Sequence, residues 1–124
     1  MADPKRILYV DDDQDFLDGM RAVLEAGGFA MLEAHGAEEG LVVFRDTRPD
    51  AVLVDLMMEE IDSGTGLVRE LKMAGSGVPV FLVSSVGESL SMNIAPSELG
   101  LSGVFQKPID PASLLATLRS KLDR

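Results

Sequence analysis

Short apolar runs alternate with longer amphipathic segments along the chain. The runs have strand length and the amphipathic segments have helix length. "RILYV" (residues 6–10) predicts a first strand. Residues 13–26 place Phe16, Leu17, Met20, Val23 and Leu24 at helical spacing, and Gly27-Gly28 stops that helix. "FAMLEA" (29–34) predicts a second strand, and "AEEGLVVFRD" (37–46) a helix interrupted by Gly40 and stopped before Pro49. "AVLVDLMM" (51–58) opens with a continuous apolar run, the pattern of a strand buried on both faces.

"EEIDSGTG" (59–66) reads as a loop, and residues 65–74 as a third helix with Leu67, Val68 and Leu71 inward. "VPVFLVSS" (78–85) is the fourth buried strand. Residues 86–103 carry the weakest pattern: a short helix is expected there, opposed by Pro96 and small polar residues. "VFQ" (104–106) is a short fifth strand, followed by Lys107-Pro108. "DPASLLATLRSKLDR" is the clearest helix, with Asp110 as N-cap, Pro111 at the first helical position, and Leu114, Leu115, Leu118 and Leu122 on one stripe. Five strands alternating with five helices predict an α/β fold, a parallel sheet with helices on both faces. Right-handed crossovers and the strand count select the flavodoxin-like (βα)5 topology, with sheet order 2-1-3-4-5.

The 124 residues suit one domain, residues 1–124, and a 46% hydrophobic content supplies its core. Formal net charge is −10, from 21 acidic and 11 basic residues. Such a surface repels nucleic acid and anionic membrane, and favours metal cations and basic partner surfaces. Cysteine is absent, which excludes disulfides, thiolate metal sites and thiol catalysis. His35 is the single histidine, so a multi-histidine metal site is excluded too. "MADPKR" is not followed by a signal-peptide core, and no apolar run reaches the length of a membrane span. A cytoplasmic protein is expected.

In open α/β sheets, sites form beyond the carboxyl ends of the strands, where strand order reverses. Asp11 and Asp12 follow strand one, Asp55 ends the core of strand three, Ser84 ends strand four and Lys107 follows strand five. Singly, each has an ordinary explanation: a helix N-cap, a turn residue, a solvated ammonium. Together they bring three acids, a hydroxyl and an ammonium to one sheet edge. Clustered carboxylates with no His or Cys nearby suit a hard cation such as Mg²⁺. A cation would also offset the repulsion within "DDD", roughly 4 kcal/mol per contact at about 4 Å before solvent relaxation. Asp55 could then act as nucleophile toward a phosphoryl group, with Lys107 and Ser84 on the phosphoryl oxygens. Asp13 is read as an acid at a helix N-terminus, favourable to the helix dipole.

At this point the chain resembles the response-regulator receiver domains of two-component signalling, over essentially its whole length. "YVDDD" matches the acidic pair, "VLVDLMM" the phosphoacceptor segment, "FLVSS" the strand-four hydroxyl segment and "FQKP" the lysine-proline. The resemblance implies that Asp55 receives phosphate from a histidine kinase or phosphotransfer protein. It implies that Asp11, Asp12, Asp55 and the Met57 backbone carbonyl bind Mg²⁺, that Ser84 and Lys107 contact the phosphoryl group, and that the Lys107–Pro108 bond is cis. A downstream protein would meet the face made by the fourth helix, fifth strand and fifth helix, and activation could form a homodimer. A stand-alone receiver and a domain of a longer regulator both fit.

Three features depart from the family pattern. Val104 stands where an aromatic switch residue is usual, with Phe105 one residue later and expected in the core. "MMEEIDSGTG" replaces a shorter proline-containing turn and reads as a solvated acidic loop or as a docking or metal-tuning loop. Met57 and Val86, two residues past Asp55 and Ser84, are apolar and cannot orient a water. Slow self-dephosphorylation is therefore expected, sped by combining Met57→Asn with Val86→Glu. Two alternatives stay open. One is a receiver-like interaction module that takes no phosphate. The other is a haloacid-dehalogenase-like phosphatase using Asp11 and Asp13, although Asp15 and the chain length fit that class poorly. A flavin protein of the same fold is disfavoured by the acidic loop after strand one.

Overall fold

Alternate residues of the first four strands feed two separate cores, one on each face of the sheet. Ile7, Tyr9, Ala51, Leu53, Phe81 and Val83 pack on one face with Leu17, Met20, Leu24, Leu114 and Leu118. Leu8, Val10, Val52, Val54, Val80 and Leu82 pack on the other with Phe44 and Leu71. Both faces are covered, so the strands can be apolar throughout, as the continuous runs predicted.

The computed structural model describes residues 4–55, 69–71, 73, 77–85, 103–107 and 109–122. In chain order these form β1 (Arg6–Val10), α1 (Gln14–Ala26), β2 (Ala30–Ala34), α2 (Ala37–Thr47), β3 (Ala51–Asp55), β4 (Val80–Ser85), β5 (Gly103–Lys107) and α3 (Pro111–Leu122). Residues 69–71 and Met73 are also helical, within the third helix expected from sequence. All strand pairings are parallel and the sheet order is β2-β1-β3-β4-β5, the flavodoxin-like order expected.

Local chemistry explains the element ends. Asp13 caps α1: its carboxylate accepts the Asp15 N–H at 3.0 Å. Past the other end of α1, Gly28 takes φ 90°, a left-handed conformation open to glycine. Phe29 is not yet in β2. Its N–H closes the end of α1 on Leu24 and its ring is buried, so the strand starts at Ala30. Asp110 caps α3 by accepting both the Ser113 N–H and the Ser113 hydroxyl.

Gly40 does not interrupt α2. Its N–H donates to the Gly36 carbonyl at 2.8 Å, and the helix runs on to Thr47. Gly40 is buried, so close packing holds the turn against a propensity cost of about 1 kcal/mol. The fourth strand starts at Val80 rather than at residue 78, and the fifth is longer than expected, Gly103–Lys107. Residues 56–58, the acidic loop 59–66, Leu67, Val68, the segment 86–102 and Pro108 with its peptide bond lie outside the described residues. Among those described, no helix is long and apolar enough to cross a membrane.

Candidate functional site

The sheet register sets the site. Val10 pairs with Val54, so the next residues, Asp11 and Asp55, leave adjacent strands side by side. Asp55 in turn pairs with Val83, the neighbour of Ser84, and Lys107 closes β5 opposite Ser85. Asp11 continues the phase of Ile7 and Tyr9, and Lys107 that of Phe105, so both rise on the α1–α3 side. Ser84 follows the phase of Val80 and Leu82, toward the opposite side.

Asp11 and Ser84 are fully buried and Asp55 is nearly so. Charge at that depth needs partners. Lys107 supplies one, with Nζ 3.3 Å from Asp11 Oδ2 and 3.5 Å from Asp55 Oδ2. The ammonium also stands 4.0 Å from the centroid of the Phe16 ring, a cation–π contact that restrains it from the α1 side. Asp11 accepts two further hydrogen bonds, from the Tyr9 hydroxyl to Oδ2 at 2.7 Å and from the Asp13 N–H to Oδ1 at 2.9 Å. Burial, then the hydrogen bond to Asp11, push the Tyr9 phenol above its ordinary range, so it remains a protonated donor.

Asp12 is exposed, yet one carboxylate oxygen each from Asp11, Asp12 and Asp55 lies within 4.8 Å of the others. Three hard oxygen donors at that spacing can hold a divalent cation. The Ser84 hydroxyl adds a second observation: it is buried and has no hydrogen-bond partner among the described residues. A buried hydroxyl without a partner costs about 1–3 kcal/mol. It is the donor expected beside a site built for an anionic oxygen. The residues present therefore fit a cation with an oxyanion beside it. Of the residues expected from sequence, Asp11, Asp12, Asp55 and Lys107 come together here, with Ser84 at the neighbouring strand end. Met57 and Val86 lie outside the described residues.

The family model for the response regulator receiver domain matches residues 7–119. The chain belongs to the response regulator receiver domain family. Among known receiver-containing proteins, it is 35% identical to the response regulator MprA of Mycobacterium sp. (strain KMS) over 121 residues, 98% of this chain and 52% of that protein. It thus spans about half the length of that relative. A CheY-like receiver domain protein from Methanospirillum hungatei JF-1 superposes with TM-score 0.83 at 29% identity, over 97% of this chain and 94% of the other. A receiver domain protein from Clostridium thermocellum superposes with TM-score 0.86 at 26% identity, over 97% and 95%.

Two contacts of this receiver site went unread in the sequence. Tyr9 stands two residues before Asp11 on one strand, so period-two alternation alone puts both on the same side. Phe16 was read only as a core position of the first helix, although it also meets the ammonium of Lys107. The first departure concerned Val104 and Phe105. Val104 is exposed, while Phe105 is partly buried and meets the Phe81 ring at a centroid distance of 5.5 Å.

Proposed function

We propose that this receiver domain accepts a phosphoryl group on Asp55 from a phosphohistidine of a histidine kinase or phosphotransfer protein. The observation that carries the reading is the meeting of buried Asp55 and Asp11 with Lys107, beside a strand end that carries a buried Ser84 hydroxyl without a partner among the described residues. An Asp55 carboxylate oxygen attacks phosphorus. The P–N bond breaks, its electron pair leaves with the imidazole nitrogen, that nitrogen takes up a proton, and an acyl phosphate forms. Lys107, close to both carboxylates, moves its charge onto a phosphoryl oxygen, and Ser84 donates to another. Asp11, Asp12 and Asp55, with the Met57 carbonyl that the family pattern implies, would hold Mg²⁺. Bound there, Mg²⁺ supplies positive charge to offset that of the phosphoryl oxygens. The domain catalyses its own phosphorylation and dephosphorylation and needs no separate small-molecule substrate.

Residues 1–124 act as one receiver unit in the cytoplasm. They signal by a conformational change read by a protein partner or an output domain at the face that includes β5 and α3. The acidic surface argues against direct nucleic-acid contact. The test uses acetyl phosphate and Mg²⁺, with intact mass as readout. The wild type gains one phosphoryl group. Asp55→Asn and a chelator control gain none. A folded, metal-binding wild type that gains nothing would instead support the interaction module.

A further inference from the structure

Asp11 is held by groups of two kinds. Lys107 is shared with Asp55, at 3.3 and 3.5 Å, and is therefore free to be drawn toward a third anion. The Tyr9 hydroxyl and the Asp13 N–H touch one oxygen each, at 2.7 and 2.9 Å. Tyr9 is fully buried on β1 within the α1–α3 core, so its ring cannot follow Lys107. Two fixed donors, one per oxygen, define the plane of a carboxylate. A phenol does so at little entropic expense, because only two side-chain torsions position its hydroxyl.

We infer that Tyr9 is a positioning residue for divalent-cation binding, its hydroxyl holding the Asp11 carboxylate in the orientation that ligates the ion. The inference rests on the reading of Asp11, Asp12 and Asp55 as a Mg²⁺ site. Ligating carboxylates are themselves hydrogen-bonded by outer groups, and loss of such a group weakens metal binding on the order of tenfold or more. Tyr9→Phe removes the hydroxyl and keeps the ring, so it isolates this contact from packing.

The test is calorimetric titration of Mg²⁺ into wild type, Tyr9→Phe and Ile7→Val. Ile7 lies on the same face of β1, is equally buried and makes no contact with Asp11, so it controls for a loosened core. The expected result is a dissociation constant raised on the order of tenfold in Tyr9→Phe and unchanged in Ile7→Val. A second readout needs no substitution. The chain has one tyrosine and no tryptophan, so its intrinsic emission comes from Tyr9. That emission should change with Mg²⁺ and saturate with the calorimetric constant. Wild-type affinity in Tyr9→Phe, or equal loss in Ile7→Val, overturns the inference and leaves the Mg²⁺ site standing. No Mg²⁺ binding by wild type overturns both.

Discussion

Three neighbouring aspartates in "VDDDQD" meet three different fates. Asp11 is buried under three donors, Asp12 is exposed beside the cluster, and Asp13 turns away to cap α1. Their repulsion is met by this divergence and by Lys107, before any metal is considered. Lys107→Met takes the cation from two buried carboxylates. It should lower stability by about 3 kcal/mol in urea unfolding without divalent ions. Ser84→Ala should do the reverse. Its hydroxyl has no partner among the described residues, so the unphosphorylated protein should gain about 1 kcal/mol in the same measurement while acetyl-phosphate labelling slows. The strand-end positions of Asp11, Asp55, Ser84 and Lys107 were legible, because strand lengths and the order rule place them. Which aspartate would be buried was not. Adjacent identical residues differ only in phase and capping, and those depend on where the strand stops and the helix begins.

At the scale of elements, short apolar runs located all five strands, while glycine misled once. Gly40 reads as a breaker by propensity, but burial holds it within α2, a tertiary effect absent from any local window. Gly27 works differently. A Cβ there would meet the terminal methyls of the Leu115 side chain of α3, which can move aside, so Gly27→Ala should lower stability by no more than about 1 kcal/mol. Thermal unfolding would measure it. One link between α1 and β2 is the ion pair of Arg21 with Glu33 at 2.8 Å. The hydrogen bond from Arg21 holds the Glu33 carboxyl below its ordinary value of 4.5. A depressed carboxyl stabilises the fold above its unfolded value and loses that contribution as pH falls through the folded value. Glu33→Gln should therefore lower stability at neutral pH, by less than about 1 kcal/mol since both groups are partly exposed. The difference from wild type should close as pH falls below 4.5.

At the scale of the whole molecule, an acidic chain of net charge −10 gathers buried carboxylates at the edge of a sheet it must also keep folded. A divalent cation, proposed for that site, would link folding to metal binding. Mg²⁺ at about 100 times its dissociation constant should add about 2.7 kcal/mol to unfolding stability, and a chelator should remove it. Phosphoryl transfer to Asp55 is tested by locating the modified residue. The protein is labelled with acetyl phosphate and Mg²⁺, reduced with borohydride to trap an acyl phosphate, digested, and the modified peptide is sequenced by mass. Modification is expected at Asp55 alone. Modification at Asp11, or at neither residue in folded protein that binds Mg²⁺, would contradict it.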